Sequence, residues 1–401
     1  MNNVHKPLII AGHNSGIPVE LNPVQAEFYR NLETQARQGS YWASILIKDL
    51  QSLSSGHVKR NVFVTDGPAD ASYKNFEMIL PGCRANVMKC SNGKYLVYKM
   101  TLDVNYPSLQ ADGTKPSLHH VKGNNRGEWT TRFKQDGKIS PIPTPIVAIS
   151  DGGYDLRASA SNCANYVSNS QQIGTRAAEQ FGFDMHYTPG KKIGGLRQIN
   201  QALHAATDIS LYESAALLAR TMEQSIDTES VTWFTQGGGS GVFTQAMDIL
   251  SKKNITFEDT GHTVFFSHPT TSYLKAQSLA IKLGLEFDRD NLSIRPHNLD
   301  ETIGGLHICG DFIAGYQRRK YDPEYTALNY GVDSLKGIHR NWQAITVGVG
   351  CSAALSAAVS AGGTSAVYPA VLAAATAMTG LGHTLFQSWL PERYQQLKKK
   401  L

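Results

Sequence analysis

Residues 231–250, VTWFTQGGGSGVFTQAMDIL, decide how the middle of this chain is read. Val231 to Gln236 is rich in β-branched and aromatic residues, the composition of a buried strand. Gly237, Gly238, Gly239 and Gly241 follow, and glycine suits a tight turn because it accepts positive φ and close backbone approach. From Val242 to Leu250 the apolar residues return at helical spacing. Such a strand, hinge and helix can hold a serine at the end of a strand, where the N-terminus of the helix favours a developing negative charge. Ser240 is the serine available.

The same rhythm extends in both directions. TPIVAIS (144–150), FDMHYTP (183–189) and HTVFFSHP (262–269) read as further strands. SQQIGTRAAEQFG (170–182), SLYESAALLARTMEQS (210–225) and SYLKAQSLAIKLG (272–284) read as helices. In the second of these Ser210 is expected to cap the helix and Glu213 to complete a capping box, with Leu211, Ala215, Leu218 and Met222 on one face. Alternation of this length predicts an α/β domain over 141–342, with a mostly parallel sheet covered by helices on both faces.

The flanks differ. Residues 1–140 are expected to hold an N-terminal helix and a β-rich region. Asn22 and Pro23 suit a helix start, and Phe28, Leu32, Trp42, Leu46 and Leu50 follow at roughly helical spacing, with Gly39 as a break. NVFVTD (61–66), FEMILPG (76–82), ANVMKC (85–90) and KYLVYKMTL (94–102) read as strands. Ser91-Asn92-Gly93 predicts a type I′ hairpin turn, and 105–128 reads as a long loop. At the other end, no Asp, Glu, Lys or Arg occurs between Arg340 and Glu392. Residues 343–401 therefore read as an apolar Ala/Gly-rich helical hairpin with a basic C-terminus, Pro369 marking its turn. At roughly 20 residues per span it is long enough to cross a bilayer twice, and Arg340, Arg393, Lys398, Lys399 and Lys400 would leave both ends on one side. A membrane contact through 343–390 and a buried hairpin of a soluble protein both remain open.

Composition excludes several classes. With 401 residues, 41% hydrophobic and 18% charged, the bulk is expected to fold. The net charge of +5 is spread along the chain, not gathered into a basic stripe, so no nucleic-acid partner is expected. The five cysteines form no CxxC pair, and no HExxH, P-loop or strand-linked GxGxxG is present, so neither metal nor cofactor is expected. The N-terminus lacks the h-region of a Sec signal. The expected location is cytoplasmic, or reached by signal-independent export, with membrane association through the tail.

The strand, hinge and helix, set in the alternation from 144 to 340, resemble the α/β-hydrolase fold, especially its lipase and esterase branches. The resemblance implies Ser240 as nucleophile, followed in chain order by an acid, Asp300, and a base, His339. Glu301 and Asp333 are further acid candidates, and His262, His268, His297 and His307 compete for the base. Gly241 would donate to an oxyanion, with Gly152 or Gly153 of AISDGGYD as the second donor. The motif departs from the family pattern G-x-S-x-G, because Val242 stands where the last glycine belongs. In a second register Gly237 falls on the nucleophile position and the elbow is empty. A third reading is a glycine turn cradling an anion on the amides of Gly239 to Gly241. Ser15, in GHNSG near the start, lacks a following helix, and Cys163 has no motif around it. Two functions follow: a serine hydrolase cleaving a carboxylic ester of a lipid or acyl substrate, in the manner of a bacterial effector; or a catalytically dead hydrolase-like protein that inserts into membranes or binds a partner.

Overall fold

Asn22 opens the first helix. Its side chain accepts the Gln25 amide at 2.8 Å and Pro23 fills the first turn, so α1 runs Pro23–Arg37. Ser40 starts α2, Tyr41–Ser52, in the same way through the Ala43 amide. The computed structural model describes residues 7–56, 63–66, 74–124, 128–169, 178 and 180–293. Helices α1 and α2 pack on a six-stranded mixed sheet of order β1-β2-β6-β5-β4-β3. Its strands are β1 Leu8–Ala11, β2 Val19–Leu21, β3 Phe63–Asp66, β4 Lys74–Leu80, β5 Cys83–Lys89 and β6 Tyr95–Leu102. The β5–β6 connection corrects the expected type I′ turn. Cys90 and Lys94 close a three-residue loop in which Gly93 alone has positive φ (82°), the type I turn plus left-handed residue that such loops favour.

The second sheet has seven strands in the order β13-β12-β11-β9-β10-β7-β8. They are β7 Ser117–Gly123, β8 Trp129–Phe133, β9 Ile146–Ile149, β10 Phe183–Tyr187, β11 Thr232–Gln236, β12 Thr263–Ser267 and β13 Glu286–Ser293. The five strands from β10 to β13 pair in parallel, while β7 and β8 add an antiparallel edge. The chain is thus α/β, but with two mixed sheets in place of the one mostly parallel sheet expected. The region expected to be a loop, 105–128, contains α3 (Tyr106–Ala111) and β7. Strands β7 and β8, from the stretch assigned to the N-terminal region, pair into the second sheet.

Helices cover both faces of that sheet. α4 (Leu156–Asn169) packs with Ala148, Phe183, Met185 and Phe234 on one face. The other face carries α6 (Ile209–Gln224), α7 (Gly239–Lys252) and α8 (Tyr273–Lys282), buried against Val147, Ile149, Trp233 and Phe266, with the short α5 (Ile199–His204) nearby. Among the described residues no helix is long and apolar enough to cross a membrane. Residues 343–401, expected to form the apolar hairpin, lie outside the described residues.

Candidate functional site

The chain leaves β9 toward α4 on one face of the sheet and leaves the adjacent β11 toward α7 on the other. The carboxyl ends of these two strands are therefore a topological switch point, where open α/β sheets place their crevice. Two glycine-bearing loops meet here: Ser150 to Gly153 after β9, and Gly237-Gly238 after β11.

The positive φ between strand and helix falls on Gly237 (53°), whose amide donates to Ser267 O at 2.9 Å. Ser240 lies beyond the tip, in the first turn of α7, and has no solvent exposure. Its hydroxyl donates to Gly237 O at 2.8 Å and meets Thr271 Oγ1 at 2.7 Å. A nucleophile needs access and a base, and among the described residues this hydroxyl meets a carbonyl and a threonine. The three expected oxyanion donors are also engaged: Gly152 N with Asp151 Oδ1 at 2.7 Å, Gly153 N with Thr188 O at 3.1 Å, and Gly241 N with Gly238 O at 2.9 Å.

The crevice is filled by Asp151. Its Oδ1 accepts from the amides of Gly152 and, at 3.1 Å, of Ile193, and Gly238 supplies a third backbone donor. Burial raises the carboxyl above the ordinary carboxylate range, against the pull of those amides and of Lys192. Glycine is required on every side. A Cβ on Gly237 would stand 2.8 Å from Asp151 Oδ2, and one on Gly238 would stand 2.4 Å from Oδ1 and 2.5 Å from Ile193 O. The loop after β10 closes the remaining side, with Gly195 N donating to Thr270 O at 2.8 Å and Thr270 Oγ1 to Ile193 O at 2.7 Å. The place an external anion would take against these amides is held by the chain's own carboxylate.

The other candidates scatter. Asp300 and His339 lie outside the described residues, as do Glu301, Asp333, His297 and His307. His262 is buried before β12, at the amino edge of the sheet, with Nε2 2.7 Å from Thr228 O and Nδ1 accepting from Trp233. Ser15 is exposed in the turn between the antiparallel strands β1 and β2. Cys163 is buried on α4, where burial pushes its thiol up and Gln236 Oε1 lies 3.5 Å away. His268 does end β12 at the same edge as the hinge, with the uncommon φ of 51° and its ring against Tyr166. Sequence reasoning missed Asp151, although SDGG at a strand end was visible; nothing in the sequence reports that its carboxylate turns inward onto the neighbouring loops.

Two further polar features lie away from the hinge. Asp184 of β10 gathers His120 at 2.9 Å, Lys134 at 3.4 Å and Ser140, tying the segment after β8 to the sheet. An open groove of about 1260 Å³ lies between the Pro81–Gly82 turn and the start of α6, lined in part by Arg84, Lys115, Asp208 and Glu213, with no histidine among the described residues of its wall. Among the described residues no three of His, Cys, Asp or Glu gather as a metal cage.

No family model matches the chain, and no curated protein matches it. One solved structure it is similar to is a protein provisionally named dipeptidyl aminopeptidase IV from Bacteroides ovatus ATCC 8483, at 9% identity over 56% of this chain, with a TM-score of 0.19. The match spans 31% of that protein. A superposition at this level carries no argument about fold or activity.

Proposed function

We propose that the α/β portion is a non-catalytic scaffold and that the protein works by binding. The observation that supports this is the hinge: Gly237 holds the tip, Ser240 is wholly buried, and Asp151 fills the crevice beside them. The partner surface is proposed to include the apolar segment 343–390, whose lack of charge suits contact with lipid. Co-sedimentation of the full chain with anionic lipid vesicles tests this, and Leu355→Asp with Leu372→Asp should release it. Equal sedimentation of the variant sinks the lipid assignment.

The serine esterase remains the second reading, with Ser240 attacking a lipid or acyl ester, His339 as base and Asp300 orienting it. It is favoured by the position of Ser240 at the carboxyl edge of the sheet and the N-terminus of α7. The two readings separate on one experiment. The folded full chain is treated with a fluorophosphonate beside Ser240→Ala. The scaffold reading expects no difference between them; labelling abolished by Ser240→Ala would establish an activated serine and overturn it.

A further inference from the structure

Strand β8 forms one edge of the seven-stranded sheet, and among the described residues it pairs with β7 alone. Its ladder has a fixed parity. The Lys134 amide donates to Leu118 O at 2.9 Å and the Asn124 amide to Glu128 O at 2.8 Å, at the two ends of the pairing. In an antiparallel ladder such hydrogen-bonded pairs alternate with pairs whose amides and carbonyls point away from the partner strand. The backbone groups of Thr130 and Arg132 therefore serve β7, and those of Trp129, Thr131 and Phe133 face outward. Among the described residues no loop or helix backbone bonds these outward groups.

Sheets blunt their edges with bulges, proline or inward-pointing charge. At the opposite edge β13 carries a register shift against β12, and in the first sheet β1 carries one against β2. β8 has a regular register and no proline, and its single charged residue, Arg132, is exposed. An edge of this kind is a template for another strand, and the residues of β8 select which. Trp129-Thr130-Thr131-Arg132-Phe133 is self-complementary about Thr131 in the residues whose backbone faces out, with an aromatic ring two positions to either side. We propose that two copies of this chain pair antiparallel through β8 about a two-fold axis at Thr131, so that the sheet of one copy continues into the sheet of the other.

That register satisfies the edge. Thr131 meets its own copy and Trp129 meets Phe133 of the other copy, and each such pair exchanges both of its backbone hydrogen bonds. Sliding the strands by one residue sets outward groups against inward ones and loses the ladder. Sliding by two leaves Trp129 or Phe133 without a mate in β8 and, in one direction, sets Arg132 against Arg132. In the proposed register the aromatic rings come opposite each other at both ends of the strand. Both are already positioned, Trp129 against Phe183 with ring centres 6.0 Å apart and Phe133 against His119 at 5.7 Å, so little side-chain freedom is lost on pairing. Thr130 faces Arg132, and the flanking Glu128 comes opposite Lys134. No like charges then face each other directly, and Arg132 meets its copy only on the diagonal. The pairing depends on neither the hinge nor the apolar tail.

Sedimentation equilibrium of the full chain between about 1 and 100 μM tests the pairing. The wild type should show a dimer whose share rises with concentration. Only a residue on a two-fold axis faces itself, so Thr131→Lys and Thr131→Glu each set like charges across the axis, and each alone should weaken the dimer by about tenfold or more. An equimolar mixture of the two sets unlike charges there and should restore the dimer to within about threefold of the wild type. Recovery in the mixture also shows that both variants fold. Should they not fold, Thr130→Arg, at an exposed position, sets a second cation opposite Arg132 and should weaken the dimer by about tenfold at low salt and less at high salt. A wild type that stays monomeric throughout, charge variants that associate as the wild type does, or a mixture no better than its components overturns the proposal.

Discussion

Gly238 and Gly39 are both glycines in turns, yet they are held for different reasons. Gly39 has φ of 92° with nothing within 4 Å of a built Cβ, whereas Gly238 has ordinary φ and no room at all. Gly39→Ala should cost about 1 kcal/mol, from backbone strain alone. Gly238→Ala should cost about 3 kcal/mol, because an oxygen and a carbonyl must both move. Urea titration of the two variants checks the order; a reversal would mean that the hinge is looser than its contacts imply. Asp151 supplies a pH signature. Its folded-state value is raised above the unfolded one, so the folded chain holds the proton more tightly in the window between them. Asp151's contribution thus increases as pH falls through the raised value and is lost as pH rises. Stability of the wild type relative to Asp151→Asn should improve from pH 7 toward 4, and a flat difference would deny the role of burial. None of this was legible in the glycine count, since three adjacent glycines look alike until their neighbours are known.

At the scale of elements the sequence spoke most clearly where the signal is local. Asn22-Pro23 starts α1 as read, and the strands of TPIVAIS, FDMHYTP, SVTWFTQ and HTVFFSHP are all present. The start of α6 was misplaced by two residues because Asp208 and Ser210 are both good caps. The structure uses Asp208, whose carboxylate accepts the Ser210 amide at 2.8 Å. Asp208→Ala should therefore cost about 1 kcal/mol and Ser210→Ala less, by thermal or chemical denaturation. Glu213, read as the partner of a capping box, instead reaches Gly82 on the other sheet. Local pattern cannot weigh a side chain's own helix against a backbone amide 131 residues away. The same limit hid β7 and β8, whose membership of the second sheet is decided by the pairing of β7 with β10 and of β8 with β7.

At the scale of the whole molecule, the seam between the two sheets is bridged by an ion pair that no window of sequence contains. Arg220 of α6 bonds Asp49 of α2 with little exposure, and also Glu223 one turn along its own helix. Arg220→Met should cost about 3 kcal/mol, since it leaves Asp49 buried without a partner. The companion Asp49→Leu/Arg220→Met should recover part of that loss, and a double-mutant cycle by denaturation would show it. If the cycle gives additive costs, the seam is not held by this pair. The crevice at the switch point carries a consequence of another kind. Because a side chain at Gly237 would meet Asp151 at 2.8 Å, a serine cannot be placed at the tip while the carboxylate remains. Removing the carboxylate first strips three amides of their acceptor. That removal makes room at the tip but leaves those amides to be satisfied anew. In sequence space the effects of the two positions are therefore not independent, and the route between this hinge and one with a serine at its tip crosses a less stable intermediate.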